Sequence, residues 1–299
     1  MAAVPLDQFV QPRTVHDLIR RARDEDLGPA GCDLTSQFLA GPPTAAAAIR
    51  ARKNGTLSGT VLLEMIAGHY SPDLQVKILL EDGSNVQADQ TVARVQGPWR
   101  AMLAMERVAL NFLGHLSGIA TLTARYVKAV AGTGTKIYDT RKTTPGWRGL
   151  EKYAVVCGGG HAHRMGLYDA ILIKDNHLAH LCNQLPVTVN DLTRKARQKD
   201  PAPAFVEVEV DSLGQLEQVL SCPIDIVLLD NMAPDTIRQA VTRRNEVAPQ
   251  VQLEASGGIE LEQVASIAAS GVDRIAVGAI THSAPVLDVG LDMEKHLGT

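Results

Sequence analysis

Short apolar runs near 136–139, 170–174, 204–210, 225–230, 250–255 and 273–278 alternate with longer stretches whose apolar residues recur at helical spacing. That alternation predicts parallel strands joined by right-handed helical crossovers, hence a β/α barrel or a doubly wound sheet. Each run gives way to a polar or glycine signal: Arg141-Lys142, Lys174, Glu209, Asp230, Ser256-Gly257-Gly258 and Gly278. In a barrel the C-terminal strand ends share one rim, so these residues would meet. A doubly wound fold would carry G-x-G-x-x-G after its first strand, and none follows residues 136–138. The barrel is the preferred reading.

The N-terminal part is patterned differently. Val15, Leu18, Ile19 and Ala22 fall at i, i+3, i+4 and i+7, and Thr14 with Asp17 reads as a capping box opening that helix. Ala45, Ala47, Ile49 and Ala51 alternate as in a half-buried strand that ends at Asn54-Gly55. A helix over 61–69 follows, then alternation at Val76, Ile78 and Leu80 up to Asp82-Gly83, then a strand over 90–95. Strands and helices that do not alternate regularly predict an α+β sandwich. Helical periodicity over 99–116 and again over 119–130, with Ser117-Gly118 between, predicts two helices and a hinge. The domains are therefore expected at 1–117 and 118–280.

Charge narrows the chemistry. With 29 basic and 33 acidic residues the chain is slightly negative overall, so its basic cluster is a local feature and not a nucleic-acid-binding surface. Cys32, Cys157, Cys182 and Cys222 form no C-x-x-C pair, and reduced, buried thiols are expected. The first residues lack a basic segment followed by an apolar one, and no run approaches a membrane span; a cytoplasmic enzyme without membrane contact is expected.

The window from Lys136 to His177 gathers Arg141, Lys142, Arg148, His163, Arg164 and Lys174 around the glycine triplet Gly158-Gly159-Gly160. Guanidinium forks and lysine point charges at successive strand ends suit a small ligand with several carboxylates or phosphates. Ser256-Gly257-Gly258 and Gly278 follow the last two strands, where barrel enzymes often bind phosphate through backbone N–H groups. Glu207 and Glu209 share one strand face and Asp230 ends the next strand. Two acidic strand ends beside a phosphate loop suit Mg²⁺, which takes few protein carboxylates; the alternative is a salt bridge to Lys142 or Lys174. His161, His163, His177 and His180 could suggest a histidine metal site, but the flanking cations disfavour it, and a Schiff-base role for Lys174 would need only one amine.

Taken together, TRKTTPG from Thr140, GGGHAHR from Gly158, LIKDNH from Leu172, DLTS from Asp33, RVALNFLGHLSGIAT from Arg107, EVEV from Glu207, LLDN from Leu228 and EASGGI from Glu254 resemble the quinolinate phosphoribosyltransferase (decarboxylating) family over nearly the whole chain. The resemblance implies a type II phosphoribosyltransferase: an N-terminal sandwich rejoined by the tail 281–299, then an open α/β barrel of fewer than eight strands. It implies transfer of phosphoribosyl from phosphoribosyl pyrophosphate to quinolinate with decarboxylation, in NAD biosynthesis. Arg107, Arg141, Lys142, His163, Arg164 and Lys174 would bind quinolinate. Glu209, Asp230, Ser256, Gly257, Gly258 and Gly278 would bind phosphoribosyl pyrophosphate, with Lys142, Lys174, Glu209 and Asp230 catalytic and Glu209 and Asp230 sharing Mg²⁺ with substrate and water. Arg107 would act from a neighbouring subunit, in a homodimer with shared sites or a higher oligomer such as a hexamer. Ala162 stands where the family often has asparagine. A related nicotinate phosphoribosyltransferase, or a barrel that only binds polyanions, are the competing readings.

Overall fold

The computed structural model of the chain describes residues 5–178 and 185–294, so His180 and Cys182 lie outside the described residues. The chain forms two compact units, one comprising residues up to Ala124, Pro145–Gly159 and the segment from Ala284, the other Arg125–Thr144 and Gly160–Ser283.

The first unit holds helices α1 (Pro12–Leu27), α2 (Leu34–Phe38) and α3 (Leu63–Tyr70), strands β1 (Thr44–Ala51), β2 (Gly55–Thr56), β3 (Gln75–Ile78), β4 (Asn85–Val86) and β5 (Thr91–Pro98), most of α4 (Trp99–Ala129), and α5 (Arg148–Cys157). Its main sheet is antiparallel, ordered Val289–Met293, β1, β5, β3, so the tail does return to it. Small alanines let β1 pack closely in the centre, where Ala47, Ala48, Ile49 and Ala51 are wholly buried.

Three local expectations change. The first helix begins at Pro12, after Gln11, which makes no side-chain cap; proline with its preset φ opens the helix, not a Thr14–Asp17 box. The predicted hinge at Ser117-Gly118 is absent, because α4 runs unbroken from Trp99 to Ala129. Its glycines serve close approach: a Cβ on Gly118 would lie 2.2 Å from the Pro285 carbonyl oxygen, and one on Gly114 2.9 Å from that of Leu287. Ser117 is spent on packing too, its hydroxyl accepting from Ser58 N–H at 3.0 Å. Gly158, at the head of the glycine triplet, has the same use, since its Cβ would meet the Ala120 carbonyl oxygen at 2.4 Å. Of the cysteines expected to be buried, Cys222 is, whereas Cys32 and Cys157 are half-buried; all three are free thiols.

The second unit carries β6 (Lys136–Tyr138), β7 (Ile171–Ile173), α6 (Asp175–Leu178), α7 (Leu185–Arg197), β8 (Val206–Val210), α8 (Leu213–Val219), β9 (Ile226–Asp230), α9 (Pro234–Val247), β10 (Gln252–Ser256), α10 (Leu261–Ala268), β11 (Arg274–Ala276) and α11 (Ala279–His282). All six strands are parallel, in the order β6-β11-β10-β9-β8-β7. The first strand pairs with the last, and among the described residues no pairing joins β6 to β7; this is the open barrel of fewer than eight strands. The sheet must curl, because Arg274 on β11 stacks 3.8 Å from the Tyr138 ring centroid and also lies 5.6 Å from that of Phe205, just before β8. In a flat sheet β11 and β8 would be about 14 Å apart at strand spacing. Val206, Val208 and Val210 are buried, as are Ile226 to Leu229, as expected for strands covered on both faces.

Candidate active site

A cavity of about 560 Å³ opens at the C-terminal ends of these strands. Thr140, Arg141 and Lys142 after β6, His163 and Arg164, Lys174 after β7, Glu209 on β8, Asp230 on β9, Ser256-Gly257-Gly258 after β10 and Gly278 after β11 all line it. Of the predicted site residues, Arg107 is not among the lining groups; it is an exposed residue of α4 in the other unit.

The cationic loop is held by its own short bonds. Lys142 N–H donates to the Thr140 hydroxyl at 3.0 Å, and the Lys142 carbonyl accepts from the Thr281 hydroxyl at 2.7 Å. Gly278 leaves room for the lysine stem, since a Cβ there would sit 3.1 Å from Lys142 Cδ. Arg164 is only 8% exposed; its Nη1 donates to the Ala170 carbonyl at 3.2 Å. Burial and the neighbouring Arg141 both hold its proton affinity below the ordinary arginine value. Asp169 fastens the next turn, accepting from Met165 N–H at 2.7 Å and Gly166 N–H at 2.9 Å.

Lys174 Nζ pairs with Glu209, so the salt bridge weighed from sequence is present, between two groups that both face the cavity. Asp230 accepts from Asn231 Nδ2 at 2.7 Å. The expected stacking of acids on β8 is present: Glu209 reaches the rim, while Glu207, two residues earlier on the same face, is completely buried.

Beneath the rim lies a group of charges that sequence reasoning did not assemble. His163 Nε2 is 3.0 Å from Glu207 and 3.3 Å from Glu254, whose other oxygen is 2.7 Å from Arg274 Nε. Glu207 and Glu254 are wholly buried, Arg274 is 5% exposed, and the Arg274 guanidinium lies on the Tyr138 ring. The Arg164 N–H donates to His163 Nδ1 at 2.8 Å. Both ring nitrogens are therefore within hydrogen-bonding reach of protein groups, while the residue also lines the cavity. Burial would lower the pKa of His163, but the hydrogen bonds and charges of Glu207 and Glu254 prevail and push it up to about 9. Burial and the nearby Glu254 raise Glu207 as well. The cluster thus keeps a proton that exposed groups would release at neutral pH.

Among the described residues, His163, Glu207 and Glu254 are the one set of three groups close enough to hold a metal, within 4.8 Å of one another. Arg274 already supplies the compensating cation there, which opposes a second one. His161 stacks on Tyr138 with centroids 5.1 Å apart, and His177 Nδ1 accepts from Lys174 N–H at 2.9 Å. Charged letters inside the apolar runs Leu253-Glu254-Ala255 and Arg274-Ile275-Ala276 were the signal for the buried layer.

The family description "Quinolinate phosphoribosyl transferase, N-terminal domain" matches residues 33–117, and the corresponding C-terminal domain matches residues 119–292. The nicotinate-nucleotide pyrophosphorylase (carboxylating) of Mycobacterium leprae is 45% identical over 280 residues, 93% of this chain and 96% of that protein. A probable nicotinate-nucleotide pyrophosphorylase (carboxylating) of Bacillus subtilis is 38% identical over 270 residues, 90% of each chain. The solved nicotinate-nucleotide pyrophosphorylase of Francisella tularensis superposes with a TM-score of 0.86 at 36% identity, covering 97% of this chain and 98% of that one.

Proposed function

The chain belongs to the quinolinate phosphoribosyltransferase family, and from that premise we propose that its cavity transfers phosphoribosyl from phosphoribosyl pyrophosphate to quinolinate, releasing pyrophosphate and CO2 and forming nicotinate mononucleotide for NAD biosynthesis. The observation that carries this is the sorting of charge within one cavity: Arg141, Lys142, Arg164 and Lys174 line it together with Glu209, Asp230 and the Ser256–Gly258 loop.

The cations neutralise the two carboxylates of the pyridine and orient its ring nitrogen toward the ribose C1 carbon, replacing a bimolecular encounter by a positioned one. As the nitrogen bonds to C1 and the bond to pyrophosphate breaks, positive charge develops on the sugar. Glu209 and Asp230 are the carboxylates placed to stabilise it. The quaternary nitrogen then accepts the electron pair left when the adjacent carboxylate departs as CO2, and a proton replaces that carboxylate on the ring. The Lys174–Glu209 pair marks the boundary between the dicarboxylate end and the sugar end.

Glu209 and Asp230 also fit Mg²⁺, which suits two carboxylates supplemented by substrate phosphate and water; bound there, the ion would neutralise the pyrophosphate oxygens. In this reading a homodimer, or a hexamer built from it, brings Arg107 of one subunit to the cavity of another in a cytoplasmic enzyme. No described helix is long and apolar enough to cross a membrane.

Release of CO2 and formation of nicotinate mononucleotide from quinolinate and phosphoribosyl pyrophosphate test the activity. Turnover of nicotinate in place of quinolinate would select the related transferase, and binding without turnover would select the polyanion receptor. The shared site is tested by mixing tagged Arg107→Ala and Lys142→Ala subunits. Verified mixed dimers would hold one intact site, so random mixing should recover about one quarter of wild-type activity. No recovery would remove Arg107 from the neighbouring site.

A further inference from the structure

Asn231 follows β9 immediately and takes φ 54°, a left-handed conformation shared by one other non-glycine among the described residues, Asp89. A side chain there costs backbone strain that persists only where surrounding contacts over-determine it. The contacts come from Asp230, Ser256 and Gly257. Asn231 Nδ2 donates to Asp230 at 2.7 Å, and Asn231 N–H donates to the Ser256 carbonyl at 3.0 Å, joining the end of β9 to the end of β10. The same side chain lies against Gly257: a Cβ on that glycine would fall 2.3 Å from Asn231 Oδ1 and 2.7 Å from its backbone nitrogen.

Gly257 itself has φ 104°, so its lack of a side chain serves two ends, its own conformation and the space that Asn231 occupies. Asn231, Ser256 and Gly257 also line a second cavity of about 310 Å³ beside α9 and α10 as well as the main one. They form the wall between the two. A side chain in that wall can fix the rotamer of Asp230 and the path of the glycine loop in one step.

We propose that Asn231 is a positioning residue for the sugar-phosphate end of the reaction, locking the Asp230 carboxylate to the Ser256–Gly258 loop. It acts through Asp230 and Gly257 and leaves the cationic end untouched. The inference rests on the proposed reading, in which that end of the cavity receives phosphoribosyl pyrophosphate. Asparagine suits the position because it tolerates left-handed backbone better than other side chains and offers an amide donor to the carboxylate.

Asn231→Gly keeps the backbone conformation and deletes the donor; Asn231→Asp keeps the shape and replaces the donor by a like charge. Both are compared with wild type by calorimetric titration of phosphoribosyl pyrophosphate without metal, by separate titration of quinolinate, and by the KM of each substrate. For Asn231→Gly we expect phosphoribosyl pyrophosphate affinity to fall about 10- to 100-fold, as for loss of a hydrogen bond to a charged group. Quinolinate affinity should stay within about twofold and the melting temperature close to wild type, since glycine relieves the strain. Asn231→Asp should lose at least as much. Full retention of phosphoribosyl pyrophosphate affinity in either folded variant overturns the proposal, as does an equal loss for both substrates. An inactive wild type would instead overturn the reading of the reaction.

Discussion

The rim of the cavity and the layer directly beneath it are both built of charged residues, yet they use charge in opposite ways. At the rim Arg141 and Lys142 are exposed and make few bonds beyond their own loop, so their charge remains available to a ligand. In the layer below, the largely buried His163, Glu207, Glu254 and Arg274 spend their charge on one another. Exposed ion pairs contribute little to stability, whereas removing one member of a buried pair leaves an uncompensated charge. The rim should therefore govern catalysis with little effect on stability, and the layer below should govern the geometry of the rim at a large cost in stability when disturbed.

The severest way to break that division is Arg274→Ala, which strips Glu254 of its cation and Tyr138 of its stacking partner. We predict a loss of about 3–5 kcal/mol in denaturant unfolding. A loss below about 1 kcal/mol would show that water or a proton neutralises the cluster as well as the arginine does.

Next comes pH. His163 in its cluster is pushed up to about 9 from an ordinary 6.5, so its contribution is fully present below about pH 6.5 and is lost as pH rises through about 9. That span corresponds to a stabilisation on the order of 3 kcal/mol. Unfolding curves collected from pH 6 to 10 should weaken accordingly, and Glu254→Gln should flatten the slope. An equal slope in that variant would place the proton elsewhere.

Arg164 belongs to both regions, buried by its loop yet lining the cavity. Arg164→Lys keeps the charge but loses the planar fork and its bond to Ala170. Transition-state stabilisation should fall by roughly 1–3 kcal/mol, read from kcat/KM for quinolinate. Unchanged efficiency in a folded variant would leave Arg164 a structural residue. The smallest stability effect belongs to Lys142→Ala, expected to change unfolding by less than about 0.5 kcal/mol while abolishing turnover. A large stability loss there would show that the loop depends on the lysine stem over Gly278.

Local pattern carried much of this protein. The six parallel strands fall within two residues of the runs read from periodicity, and the polar residues that end them do line one cavity, because strand period and strand termination are local properties of the chain. Glu209 and Asp230 were legible as cavity-facing residues for the same reason: they lie at the C-terminal ends of β8 and β9.

Only tertiary structure decided the rest. Ser117-Gly118 reads locally as a helix break, but the Pro285 carbonyl that needs Gly118 comes from more than 160 positions later in the chain, and Ser117 is bonded to Ser58 far earlier in it. His163 reads as a substrate ligand because it stands among cations; its contacts with Glu207 on β8 and Glu254 on β10 form because the sheet curls. Asn231 stood in the sequence only as the last residue of LLDN, and its hold on Asp230 and Gly257 depends on β9 and β10 lying side by side. Sequence pattern reports what each residue does to its own backbone. Which buried charges compensate one another depends on distances that exist only once the chain has closed on itself.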